Sequence, residues 1–68
     1  MMQLTINGST IHVPKTIYSV LELIQHLKIN SQFIIVEQNY RILKKEDYAQ
    51  AIVTNGDQFE FVQFVGGG

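Results

Sequence analysis

The chain has no cysteine among its 68 residues. That absence removes disulfide staples, thiolate-bound zinc, iron–sulfur clusters and any thiol nucleophile together, so stability must come from packing. Tryptophan is also missing, and proline occurs once, at Pro14. Charge of either sign is scarce: five Lys and Arg stand against six Asp and Glu, a formal net charge of −1. Such a balance leaves no electrostatic footprint for nucleic acid or anionic lipid, and neither is expected as a partner. No segment approaches the ~20 consecutive apolar residues of a membrane span. The opening "MMQLTINGST" lacks the basic stretch and apolar run of a secretory leader, so the cytoplasm is the expected location. A chain of this length is one domain, near the lower limit for a self-sufficient core, with little room for a deep pocket of convergent catalytic groups. Any chemistry is expected to be shared with a larger partner.

What is present is a patterned chain with 46% hydrophobic residues. Met2, Leu4 and Ile6 alternate with Gln3 and Thr5, the period of a half-buried strand. Asn7-Gly8 then supplies the strongest short hairpin signal, because a two-residue type I′ turn needs positive φ at both positions. With those residues as the loop, Ile6 faces Ser9, Leu4 faces Ile11 and Met2 faces Val13, which sends the apolar side chains of both strands to one face. Pro14 cannot donate to a ladder and closes the second strand. In "TIYSVLELIQHL" the apolar positions Ile17, Val20, Leu21, Ile24 and Leu27 follow helical spacing, widened by Leu23. Two N-caps compete: Ser19 has Glu22 at capping-box spacing, while Thr16 gives a longer helix that includes Ile17 and is the favoured start. After Asn30 and Ser31 the run "FIIV", Phe33 to Val36, reads as a central strand covered on both faces. A turn around Gln38-Asn39, a short strand over Arg41-Ile42-Leu43 and a helical turn near Glu46 to Tyr48 follow. Asn55-Gly56-Asp57 is a turn, and Phe59 and Phe61 then alternate with Gln58 and Glu60 into the last strand. The order ββαβ(β)β predicts an α+β domain, a mixed sheet packed on one helix, over residues 1–65, followed by a flexible tail at 66–68.

Few residues offer internal chemistry. His12 and His26 have no ligand-type neighbour at metal spacing in their own elements and read as surface histidines. The cluster Arg41, Lys44, Lys45, Glu46 and Asp47 mixes both signs and reads as a solvated loop. Serines and threonines fall at turns and caps, and no Gly-rich loop with a helix-opening Lys is present to hold phosphate.

The end "FEFVQFVGGG" is different. Strict alternation puts Phe59, Phe61 and Val65 on the core side and Val62 and Phe64 on the outer side, an apolar patch suited to a partner; a bulge near Val62 would instead turn those side chains inward. Gly66, Gly67 and Gly68 reach roughly 10 Å when extended and, without Cβ atoms, fit a tunnel too narrow for side chains. A terminal carboxylate, with an ordinary pKa near ~3.5, is an anion at neutral pH that can attack the α-phosphate of a nucleotide. The acyl-adenylate so formed accepts a sulfur or nitrogen nucleophile.

Taken together, "MQLTING", "TIYSVLELIQHL", "FIIV", "NGD" and "FEFVQFVGGG" resemble the ThiS family, the sulfur carriers of thiamine thiazole biosynthesis, over nearly the whole chain. The resemblance implies a ubiquitin-like β-grasp fold and a protein co-substrate, not an enzyme. By the same resemblance, Gly68 is adenylated by an E1-like adenylyltransferase that uses ATP and magnesium, and is converted to a thiocarboxylate. A cysteine desulfurase is the ultimate sulfur source, and thiazole synthase receives the sulfur. Gly67 and Gly68 match the family's terminal diglycine, with Val65 and Gly66 before it; Val62, Phe64 and Val65 form the expected partner-binding surface. No bound cofactor is implied, and the free chain is expected to be a monomer. The pattern departs from the family at Asn39-Tyr40 and Lys44-Lys45, where Asn-Gly and Pro-Arg are frequent. Two other readings stand beside it: the small subunit of molybdopterin synthase, which shares fold and chemistry, and a ubiquitin-like binding module or modifier that carries no sulfur.

Overall fold

The computed structural model describes residues 1–63. Five strands form one mixed sheet: β1 (Met2–Ile6), β2 (Ser9–Val13), β3 (Ile34–Gln38), β4 (Arg41–Leu43) and β5 (Gln58–Gln63), in the spatial order β2-β1-β5-β3-β4. The single α-helix of the described residues, α1 (Val20–His26), covers one side of that sheet. This is the expected α+β class, with the strand count and order ββαββ and a final β.

The first hairpin has the register that its turn dictates, with Met2 opposite Val13, Leu4 opposite Ile11 and Ile6 opposite Ser9. Asn7 and Gly8 both take positive φ, 49° and 81°, as a type I′ turn requires. Buried side chains from both layers meet in one core: Leu4, Val13, Val36 and Phe59 from the sheet, and Val20, Leu23 and Ile24 from the helix, none more than 1% exposed. The Phe59 and Phe61 rings stack in that layer with centroids 5.7 Å apart.

Three expectations need correction. The helix starts at Val20 with Ser19 as its cap, not Thr16. Ser19 Oγ accepts from the Glu22 amide at 3.1 Å, and Glu22 Oε1 accepts from the Ser19 and Tyr18 amides at 2.9 and 2.8 Å. This reciprocal pairing satisfies more orphan donors than a threonine cap alone. Ile17 is still buried, but from the extended segment that enters the helix. Phe33 does not belong to the third strand; it ends a 3-10 turn, Ser31–Phe33, and is 47% exposed. The turn forms because Asn30 Oδ1 accepts from the Gln32 amide at 3.0 Å. The strand after it is covered on the helix side through Ile34 and Val36, with Ile35 only half-buried, and the middle of the sheet belongs to β5. Lastly, the β3–β4 turn sits at Asn39 and Tyr40, one residue later than the sequence suggests, with φ of 50° and 69°.

Candidate functional site

The segment that the sequence singles out is delivered by β5, the middle strand of the sheet. It runs parallel to β1, with Thr5 beside Gln58 and Ile6 beside Phe59, and antiparallel to β3 from Gln38–Phe59 to Ile34–Gln63. Its start is set by the Asn55-Gly56-Asp57 turn. Gly56 has φ of +90°, a conformation that side chains rarely adopt, and its amide donates to Gln3 O at 2.7 Å. Asp57 Oδ2 accepts from the Thr54 amide at 2.7 Å and from Gln38 Nε2 at 3.0 Å, while Oδ1 accepts from Asn39 Nδ2 at 3.0 Å.

Two turn asparagines then hold the strand from either side. Asn39 Oδ1 accepts from the Gln58 amide, and the Asn39 amide donates to Gln58 O at 2.7 Å. On the other flank, Asn7 Oδ1 accepts from the Phe61 amide at 2.8 Å and Asn7 Nδ2 donates to Phe61 O at 3.2 Å. Asn7 thereby supplies the two backbone partners that β1 is too short to offer. Both asparagines are legible in sequence as turn residues, because left-handed φ favours them; their grip on β5 is not, because it spans the chain.

On the outer side of the sheet, the register is uninterrupted through Gln63, with Val62 opposite Ile35 and Glu60 opposite Glu37. No bulge intervenes, and Val62 stands 50% exposed. Ile42, opposite Glu37 on β4, is 71% exposed on that same side. The pairing of β3 with β5 ends at Ile34 and Gln63, and exposed Phe33 closes the 3-10 turn just before β3. The sequence reading missed Phe33 and Ile42 as surface residues; strand pairing puts Ile35 opposite Val62 and sets Ile42 on the same face, across β3. Phe64, Val65, Gly66, Gly67 and Gly68 lie outside the described residues.

His12 and His26 are exposed, and the described residues contain no group of three His, Cys, Asp or Glu that could hold a metal ion. No helix of the described residues is long and apolar enough to cross a membrane. Glu22 is held below the usual glutamate range by the amides of Ser19 and Tyr18, and burial pushes the Tyr48 phenol up.

Among the described residues, a single helix laid across a five-stranded mixed sheet, whose middle strand is the last one, defines a ubiquitin-like β-grasp domain. The ThiS family model matches residues 3–68. The chain belongs to the ThiS family, the sulfur carrier proteins of thiamine biosynthesis. It is 32% identical over 65 residues to the sulfur carrier protein ThiS of Bacillus subtilis, with 96% of this chain and 98% of that one covered. A crystal structure of the thiamine biosynthesis protein ThiS from Geobacter metallireducens superposes with a TM-score of 0.86 at 36% identity, covering 98% of this chain and 100% of that one. The chain is also 39% identical over 67 residues to a thiazole synthase of Paramagnetospirillum magneticum, of whose length it spans only 20%. The choice between thiamine and molybdopterin carriers thus falls to the thiamine family.

Proposed function

We infer that this chain works as a protein co-substrate that carries sulfur on the carboxyl group of Gly68. The carboxylate attacks the α-phosphorus of ATP in the active site of an E1-like adenylyltransferase, forming an acyl–phosphate bond as pyrophosphate leaves. A persulfide, formed on a desulfurase from cysteine, then attacks the acyl carbon as AMP leaves, giving an acyl disulfide. A thiol cleaves its S–S bond and is itself oxidised to a disulfide, and the terminal group is left as a thiocarboxylate that thiazole synthase consumes. ATP and magnesium belong to the adenylating partner, and the carrier binds no cofactor of its own. Gly66 and Gly67 thread the reactive end into the partners' active sites, while Val62, Phe64 and Val65 meet the partner surface.

The observation that carries this reading is the extent of the family match, which runs from residue 3 to Gly68 and includes the glycines. A thiazole synthase relative that contains a stretch 39% identical to this chain supports a working connection between the two proteins. The anchored β5 supports it as well, since a strand held by Asn7 and Asn39 gives the tail a fixed point of departure.

The test is an intact mass measurement. After incubation with the cognate adenylating enzyme, ATP, magnesium and a sulfide source, the chain is expected to gain the mass difference of one oxygen replaced by sulfur, localised to Gly68. An unchanged mass alongside an adenylating enzyme that is active in ATP–pyrophosphate exchange overturns the reading.

A further inference from the structure

The parallel ladder between β1 and β5 ends with a side chain in the place of backbone. The Thr5 amide donates to Asp57 O and the Asn7 amide to Phe59 O, both at 3.0 Å. The next rung in that series would fall to the backbone amide of Ser9, but the chain has already reversed at Gly8 and Ser9 begins β2. The Asn7 carboxamide takes that rung. Its Oδ1 accepts from the Phe61 amide at 2.8 Å, and its Nδ2 donates to Phe61 O at 3.2 Å.

Few residue types meet both demands at this position. Its φ of 49° is left-handed, where glycine, asparagine and aspartate are at home. Of those three, only asparagine sets a donor and an acceptor side by side as a peptide group does. Glycine would serve the turn and leave Phe61 unheld. Aspartate would accept from the Phe61 amide but face the Phe61 carbonyl with a second acceptor. The turn alone therefore does not account for the carboxamide.

The location of the rung matters as much as its chemistry. Phe61 stands seven residues before Gly68, and among the described residues no hydrogen bond from the β1 side reaches β5 beyond it. From there to Gln63 the strand is paired with β3 alone, through Val62–Ile35 and Gln63–Ile34. Strands held on one flank twist further and open locally at lower cost than strands held on both. A misplacement of about 1 Å caused far from the chemistry can slow a reaction by about 10²-fold.

We propose that Asn7 is a positioning residue for the acyl transfer at Gly68: its carboxamide holds Phe61 from the β1 flank and so fixes the end of β5 from which residues 64–68 set out. The proposal rests on the sulfur-carrier reading. In this role Asn7 touches neither ATP nor the reacting carboxylate and acts through β5. Once the carrier is docked, attack on the α-phosphorus depends on how closely the carboxylate is confined near that atom. The effect of Asn7 therefore falls on the rate within the complex and leaves complex formation alone.

The experiment follows acyl-adenylate formation as pyrophosphate released in a single turnover, with the adenylating enzyme, ATP and magnesium held constant and the full chain varied in excess. Asn7→Gly keeps the type I′ turn and is expected to lower the maximal rate about tenfold, the rate equivalent of fixing one freed backbone residue again. Its half-saturating concentration is expected to stay unchanged. Asn7→Asp is expected to lose at least as much rate. Ser19→Ala, which loses stability at the helix cap instead, is expected to keep the full maximal rate, with every chain assayed at a temperature where circular dichroism shows it folded. A full maximal rate in Asn7→Gly or Asn7→Asp overturns the proposal, as does an equal loss in Ser19→Ala, because Asn7 would then serve stability alone. A loss confined to the half-saturating concentration overturns it as well, since Asn7 would then act in docking. If the unaltered chain is adenylated and the variants match it, only the role of Asn7 falls. If the enzyme binds ATP yet releases no pyrophosphate with the unaltered chain, the carrier reading falls and the proposal with it.

Discussion

Along β5 the side chains of Phe59 and Phe61 turn toward the helix and are 1% and 8% exposed, whereas Glu60 and Val62, each one residue on, stand on the open face. The same backbone serves two faces under different rules. On the inner face each residue is chosen by volume, because Leu4, Val36, Leu23 and Ile24 leave the phenylalanines no slack. On the outer face volume is irrelevant, and the sheet there holds a like-charged pair, a strained tyrosine and uncovered aliphatic groups. The inner face is what a fold requires; the outer face carries what a fold of this size tolerates.

The comparison is broken most severely at Phe59. Replacing it with alanine is expected to cost about 3–5 kcal/mol, since the cavity cannot collapse within so tight a cluster. For so small a domain that is most of the available stability, and urea unfolding should show a chain largely unfolded without denaturant. If Phe59→Ala instead melts near the native temperature, the inner face is looser than the burial indicates. Next in size is Asn7→Ala, which leaves the Phe61 amide and carbonyl without their partners. A loss of about 1–3 kcal/mol is expected, with faster hydrogen exchange at the Phe61 amide as the local signature.

Ser19→Ala removes the helix cap and is expected to cost about 1 kcal/mol, read by chemical denaturation. Its partner Glu22 adds a pH dependence of known sign. The two amides hold the folded-state pKa of Glu22 below its unfolded value, so its contribution is present above the unfolded pKa and fades as pH falls through the folded one. The stability difference between the unaltered chain and Glu22→Gln should therefore shrink on acidification below the ordinary glutamate range, and a difference that grows instead would contradict the cap geometry. The smallest effect is expected on the outer face. Val62→Ala should change stability by no more than about 0.5 kcal/mol while weakening the complex with the adenylating enzyme in a direct binding titration. Unfolding of that variant would show that Val62 belongs to the core and would erase the distinction between the faces.

Much of the inner face can be read from local pattern. Alternation and the Asn7-Gly8 turn lead directly to the Met2–Val13, Leu4–Ile11 and Ile6–Ser9 register, since a two-residue turn leaves no freedom in the pairing. The helix cap is harder: Thr16 and Ser19 both carry a hydroxyl, and the reciprocal bonds of Ser19 and Glu22 decide between them. Phe33 misleads because an apolar run cannot reveal where its strand begins; the Asn30 side chain diverts it into a 3-10 turn before pairing starts. The outer face is less legible still. Alternation along its own strand suggests Val62, but Ile35 opposite it and Glu37 and Ile42 farther across that face come from two other strands.

By itself the sequence determined the α+β class, the first hairpin and its register, and the likeness that led to the ThiS family. The tertiary structure alone decided that β5 would lie in the middle of the sheet, that Asn7 and Asn39 would grip it from both flanks, and that Glu37 would stand opposite Glu60. The physical reason is range. Turns, caps and alternation act between residues a few positions apart, whereas the pairing of β3 with β5 joins segments more than twenty residues apart through backbone hydrogen bonds that are the same for every side chain. The residues that meet across such a pairing share no local signal, and their meeting is what gives the open face its chemistry.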